Sequence, residues 1–345
     1  MQLPRQWLVV RLSALGDIAL TTGVLDRWNR LHGWRFTFLV FSQWASVLEG
    51  HPAIDRIVGV SRDDVRAAAM LRLFRSLSSE LAGYGLIDLH GSLRSRFLRL
   101  IWPGPVFHYP KFSMERRLFL RSGGTLCREK LLQYNVPQRY ALSLDEVAPE
   151  RGEVLPRIFL SGSEREDATA ILESRGITQE RGLVALHPYS THANKAWLPE
   201  NWLALTRMLL ADGYRVLVVG RGERIFKDMP EVHDLTGVTT LRQTCALLER
   251  CSVVVTGDSG PMHLACGVGT PVVALFGPTH SVWGFYPEGE HDVVLEADED
   301  CRPCSLHGSR PCGREHICMT SLTPGMAFDA VQRVASVRKF LLPSL

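Results

Sequence analysis

The chain has 345 residues, 46 % hydrophobic and 22 % charged, which places it among ordinary globular proteins with enough apolar material for two domains. A formal net charge of +3 is too small to point to nucleic acid, so partners have to be read from local clusters. No apolar run approaches the roughly 18 residues that cross a bilayer, and the short run at 7–10 is cut by Arg11 and soon meets Asp17, unlike a secretory signal; the reading is a cytoplasmic protein.

In chain order, residues 7–12 read as a buried strand, 18–31 as a helix, 35–40 as the next strand and 85–89 as a later one. Such alternation predicts parallel strands crossed by helices: an α/β class, with a Rossmann-like first half. Periodicity fades over 136–157, which carries Pro137, Pro149, Gly152 and Pro156, and the domain junction is placed there. A second doubly wound half follows. Ser163 and Glu166 have capping-box spacing at the head of a helix that Gly176 closes. Strand 182–187, helix 200–212, strand 215–219, a short helix at 241–249, strand 252–256, a helix from Pro261 and strand 271–276 come next. In the last element, 326–342, Ala330, Val331, Val334, Val337 and Leu341 recur at helical spacing and predict one packed face.

Three strand-end segments of the second half carry polar chemistry. Thr256-Gly257-Asp258-Ser259-Gly260-Pro261-Met262-His263 ends a strand at a glycine turn and starts a helix with proline in its first turn. The free amide protons of such a start favour a phosphate or diphosphate, and His263 would add a donor; the bland reading is that Asp258 and Ser259 only cap the helix. The second segment, His187-Pro188-Tyr189-Ser190-Thr191-His192-Ala193-Asn194-Lys195-Ala196-Trp197, offers the hydroxyls of Ser190 and Thr191 and the ammonium of Lys195, donors and charge for a diphosphate. In the third, Gly220-Arg221-Gly222-Glu223, the glycines allow close backbone approach and Glu223 would accept from a ribose hydroxyl. If these strands are neighbours, a nucleotide site is the economical explanation. In the first half, Asp17 opens a helix after a strand; it either caps the helix or takes a proton from an attacking hydroxyl.

Together these residues resemble the glycosyltransferase family that contains the ADP-heptose:lipopolysaccharide heptosyltransferases. The likeness runs over nearly the whole chain: Arg11-Leu12-Ser13-Ala14-Leu15-Gly16-Asp17, His51-Pro52-Ala53-Ile54-Asp55, Ile87-Asp88-Leu89-His90-Gly91-Ser92-Leu93-Arg94-Ser95, and 257–263 with Phe276-Gly277-Pro278-Thr279. The resemblance implies two Rossmann-like domains facing a central cleft (GT-B type). It divides the chain into an acceptor domain at 1–155, a donor-nucleotide domain at 156–324, and a C-terminal helix at 325–345 packing back on the first domain. It also implies inverting, metal-independent transfer of heptose, or a related sugar, from ADP-heptose to a lipopolysaccharide inner-core or related surface-glycan acceptor. Asp17 matches the general base, Lys195 joins it in catalysis, and Ser190, Thr191, Lys195, Glu223, Asp258, Ser259, Gly260 and His263 match the donor site. Leu20 and Gly23 stand where some members carry His and Pro, so acceptor contacts differ. Residues 75–130 hold ten Lys or Arg against four acids, interleaved with Trp102, Phe107, Tyr109 and Phe112. Such a stretch suits a lipid-linked anionic glycan at the inner-membrane surface, with Ser13, Arg94 and Arg96 as acceptor contacts.

Of eight cysteines, Cys301, Cys304, Cys312 and Cys318 fall within one loop. Four thiols there predict a structural zinc or iron–sulfur group, with His307 or His316 as substitute ligands, or a disulfide pair. No cofactor is expected for catalysis. Two other functions share the architecture: a nucleotide-sugar epimerase, and a non-catalytic nucleotide-sugar binding protein in which Asp17 is only a cap.

Overall fold

The computed structural model describes residues 3–64, 66–178 and 182–341. They form two compact units, one of Met1–Lys111 with Tyr134–Phe159 and the other of Phe112–Gln133 with Leu160–Leu345. No described helix is long and apolar enough to cross a membrane.

The first unit runs β1 (Gln6–Val10), α1 (Leu15–His32), β2 (Arg35–Phe41), α2 (Ser42–Ala45), β3 (Ile54–Val60), α3 (Ala67–Glu80), β4 (Gly85–Asp88), α4 (Leu93–Ile101) and β5 (Val106–His108). Its sheet is parallel, in the order β3-β2-β1-β4-β5. Trp7, Leu8, Val9 and Val10 are all buried because β1 is central and covered on both faces. α1 buries Ile18, Val24, Leu25 and Trp28 and stops at Gly33, which takes the left-handed conformation. Gly23 has a packing reason to differ from the family pattern: a Cβ there would lie 1.9 Å from the Leu155 carbonyl oxygen. The chain winds from β1 through β2 to β3 and then returns to β4 on the other flank, so β1 and β4 border the switch point where such sheets open a crevice.

The next helices, α5 (Ser113–Arg121) and α6 (Arg128–Leu132), belong to the second unit by their packing, which corrects a boundary near 155 with everything before it in one domain. Phe119 and Leu131 form a buried cluster with Val282 and Trp283. The basic stretch 75–130 is therefore divided between the units, and its aromatic members Trp102 and Tyr109 are buried packing residues. α7 (Val136–Ala141) lies in the first unit, inside the segment read as a junction.

The second unit continues with α8 (Gly162–Glu173), β6 (Leu183–His187), α9 (Pro199–Ala211), β7 (Arg215–Val218), β8 (His233–Asp234), α10 (Leu241–Arg250) and β9 (Val253–Gly257). It ends with α11 (Gly260–Gly267), β10 (Val272–Phe276), β11 (Val293–Glu296), α12 (Ile317–Thr320) and α13 (Pro324–Leu341). Its parallel sheet has the order β11-β10-β9-β6-β7-β8, with the switch point between β6 and β9. Ala327, Ala330, Val331 and Val334 of α13 are buried in this unit's core with Trp197, Trp202 and Leu275. The described side chains of the last helix therefore pack within this unit; Val337, Leu341 and Leu342, on the part of the helix expected to pack back on the first domain, lie outside the residues whose side chains are described.

The cap of α8 is two residues earlier than the spacing of Ser163 and Glu166 suggested. Ser161 accepts from the Glu164 amide while Glu164 accepts from the Ser161 amide, 3.2 and 2.7 Å. The register is decided elsewhere in the chain: Arg242 of α10 grips both Glu164 oxygens at 2.5 Å. Those hydrogen bonds, reinforced by the Ser161 amide against the opposing effect of burial, hold the Glu164 carboxyl at about 2 against an ordinary 4.5. Its stabilisation is complete above about 4.5 and fades as pH falls toward 2. Glu164→Gln should lower the melting temperature at neutral pH by about 2–4 °C, as for a lost cap worth on the order of 1 kcal/mol. The gap between variant and parent should close as pH approaches 2; a gap that stays constant with pH contradicts this assignment.

Candidate functional site

At the β1/β4 switch point Asp17 is the third residue of α1. Its Oδ2 accepts the Ala14 amide at 3.2 Å, and its Oδ1 faces Arg11 Nη2 at 2.5 Å and accepts the Tyr140 hydroxyl at 3.1 Å. Arg11 also donates from Nη1 to the Leu89 carbonyl, so one buried guanidinium spans the loops after the two strands. Burial alone would raise the Asp17 carboxyl, but the charge of Arg11 and the hydrogen bonds from Ala14, Arg11 and Tyr140 outweigh it and hold it below its ordinary 3.8. Burial pushes Tyr140 well above the usual phenol range, so it is a neutral donor. A carboxylate offers about four acceptor positions. Two on Oδ1 and one on Oδ2 are filled by these contacts, so Asp17 closes the start of α1 while Oδ2 carries the Ala14 amide.

Ser13 is half-buried beside this carboxylate on the β1–α1 loop, while Arg94 and Arg96 are exposed in the first turn of α4 behind its Ser92 cap. Arg99 faces the buried Asp88 at 3.7 Å. His90, at the end of β4, has a buried Nδ1 without a hydrogen-bond partner. Burial first, then the charge of Arg11, pushes its imidazole down to about 4, so it is neutral. Sequence reasoning missed Tyr140 and the roles of Arg11 and His90. An Arg and a His at strand ends were visible, but Tyr140 meets Asp17 only through folding, 123 positions away.

In the second unit, β9, β6 and β7 are neighbours, so the three polar loops leave adjacent strand ends. Lys195 pairs with Asp258 Oδ2 at 2.5 Å across the β6/β9 switch point. Thr279, from the loop after β10, donates to the same oxygen at 2.8 Å. Ser259 caps α11 by backbone only; its hydroxyl lies 3.2 Å from Thr256 Oγ1 and 3.4 Å from His187 Nδ1. With Gly260 and Pro261 opening the helix, the first-turn amide protons have no intrahelical acceptor, the general condition under which a helix start suits an anion. Burial pushes His187 down to about 4, so it is a neutral partner to these hydroxyls. His263 is buried, with its ring centroid 6.4 Å from that of Phe285, rather than a surface residue. The Ser190 hydroxyl is engaged within its own loop, donating to the His192 carbonyl and accepting its amide. Thr191 and Glu223 are exposed, and the Tyr189 ring lies against Gly220 and Gly222 between their loops.

Among the described residues no group of three or more His, Cys, Asp or Glu is gathered as a metal-ligand set. Cys301, Cys304, Cys312 and Cys318 are free thiols. Cys304 Sγ turns to the Cys301 carbonyl, Cys312 Sγ accepts the amides of Arg314 and His316, and Cys318 is buried in the core.

Residues 70–311 match the model of glycosyltransferase family 9 (heptosyltransferase). Lipooligosaccharide heptosyltransferase 2 of Haemophilus influenzae is 38 % identical over 151 residues, 41 % of this chain and 43 % of that protein. The chain spans about half the length of the curated relatives it matches first. A glycosyl transferase family 9 structure from Veillonella parvula superposes with a TM-score of 0.79 at 19 % identity, covering 98 % of this chain and 99 % of that one. The E. coli ADP-heptose lps heptosyltransferase II structure gives 0.72 at 18 % identity, covering 97 % and 99 %. These structures share the fold, two parallel-sheet α/β units of the GT-B type. Since the family model covers well over half of the sequence, the chain belongs to glycosyltransferase family 9.

Proposed function

We propose that the protein is an inverting glycosyltransferase that moves heptose from ADP-heptose to a lipopolysaccharide inner-core acceptor. The observation that carries this reading is the Lys195–Asp258 pair beside the open start of α11, a cation and a row of amide protons at a sheet's carboxyl end. That chemistry suits the diphosphate of a nucleotide sugar, and the relatives named heptosyltransferase supply the sugar and the adenine. They also disfavour the epimerase and the non-catalytic alternatives.

In the proposed step Asp17 Oδ2 takes the proton of the acceptor hydroxyl as the oxygen bonds to the anomeric carbon. The anomeric carbon–oxygen bond to the diphosphate breaks on the opposite face. Arg11 keeps the carboxylate ionised and makes it a weak base, so proton transfer proceeds with C–O bond formation rather than before it. Lys195 and the α11 amides stabilise the charge that grows on the departing ADP. Ser190, Thr191, Ser259, Gly260 and His263 complete the diphosphate contacts in this reading, and Glu223 meets the ribose. Ser13, Arg94 and Arg96 meet the acceptor. Leu93 and Leu100, each 83 % exposed on α4 beside those arginines, support an acceptor presented at an anionic inner-membrane surface.

With labelled ADP-heptose and a heptose-deficient inner-core acceptor, the wild-type chain should form the heptosylated product. Asp17→Asn should reduce the rate by roughly 10²–10⁴ while ADP affinity is kept; full activity in that variant, or isomerised donor without transfer, contradicts the assignment. In Tyr140→Phe the Asp17 carboxyl loses a donor, so its titration, followed by carboxyl NMR, should move up from a midpoint below 3.8. An unmoved midpoint contradicts the role given to Tyr140.

A further inference from the structure

Lys195 carries a flexible four-carbon stem that ordinarily samples many rotamers, yet its side chain is only 15 % exposed and held along its length. The ammonium is held by Asp258, as described. The stem runs across Gly308, where a Cβ would stand 2.8 Å from Lys195 Cγ, 3.1 Å from its Cε and 3.2 Å from Pro278 Cγ. Gly308 also has φ +72, so two independent constraints exclude a side chain there. The neighbouring Asn194 ties the same segment down, donating to the carbonyls of Gly308, at 3.1 Å, and Arg310.

Arg302 acts from the other end of that loop. Its side chain is 4 % exposed, and the guanidinium pairs with Glu296 at 2.6 Å. It also donates to the carbonyls of Gly277 (2.5 Å), Thr279 (2.9 Å) and Ala297. Two of those carbonyls flank Pro278, so Arg302 fixes the backbone from which the Thr279 hydroxyl reaches Asp258. A continuous line of hydrogen bonds and chain therefore runs from Arg302 through Thr279 and Asp258 to Lys195.

We propose that the cysteine-rich loop is a brace for the diphosphate lysine, with Arg302 and Gly308 as positioning residues that hold Lys195 in place before any ligand binds. The inference rests on the reading of Lys195 as a diphosphate contact, and it gives the loop a task that needs no metal. Neither residue touches the reacting atoms; both act through Lys195.

The test separates the brace from the nucleotide reading. In the ligand-free protein, limiting amine acylation read by peptide mass spectrometry should label Lys195 slowly. Relative to Lys111, Lys130 and Lys227, its labelling should rise severalfold in Gly308→Ala and in Thr279→Val. ADP affinity measured by calorimetry should fall about tenfold in either variant, as expected for a displaced contact, and should change little when the same substitution is made on a Lys195→Ala background. Unchanged Lys195 labelling in a variant with a wild-type circular dichroism spectrum overturns the brace, as does an equal ADP loss with and without Lys195. If Gly308→Ala does not fold, Thr279→Val decides by the same criteria, since it keeps the side-chain shape and removes the one hydroxyl. Raised labelling in a protein that never binds ADP sustains the brace and overturns the nucleotide reading instead.

Discussion

Each unit depends on one constraint: two adjacent parallel strands from which the chain winds away in opposite directions, so that a crevice opens at their carboxyl ends. Polar loops are forced together there, and an ion pair sits in each crevice. At β1 and β4 the buried Arg11 reaches Asp17 with one nitrogen and the Leu89 carbonyl with another. At β6 and β9, Lys195 reaches Asp258. Remove either cation and a carboxylate is left in a partly desolvated place, which is costly; remove the strand order and the loops have no reason to meet.

In the proposed transfer the Arg11–Asp17 pair sets a balance. A buried carboxyl without partners would drift toward neutrality and could not accept a proton, whereas one held by too many donors would have no lone pair to offer. Arg11 and Tyr140 crowd Oδ1, and Ala14 occupies only one position on Oδ2. The charge survives, basicity is low, and one oxygen stays open. In the second unit Asp258 plays a complementary part, since it holds Lys195 in place with help from Thr279.

Much of this architecture is legible in the amino-acid order because apolar runs of strand length are local signals: β1, β2, β4, β6, β7, β9 and β10 each fall within a residue or two of where their hydrophobicity places them. Asp17, Lys195 and Asp258 are legible too, as polar residues directly after buried strands. What is not legible is tertiary. The choice between Ser161–Glu164 and Ser163–Glu166 as the cap of α8 is made by Arg242 on another helix. The grouping of α5 and α6 with the second unit is made by Trp283. Four cysteines at metal-like spacing carry no information about where each thiol turns: here Cys318 is buried in the core, Cys304 Sγ faces the Cys301 carbonyl and Cys312 Sγ accepts two backbone amides. Tyr140 and Arg302 sit in segments with no periodicity, and their value appears only when distant partners arrive.

The central claim is that the Asp17 carboxylate accepts the proton in the transfer step. Its most direct test is the single-turnover rate of sugar transfer at saturating donor and acceptor, measured across pH on the same preparation whose Asp17 carboxyl is titrated by NMR. The account predicts that the acidic limb of the rate coincides with that titration, below the ordinary aspartate value of 3.8. A rate that stays level while the carboxyl protonates would contradict it.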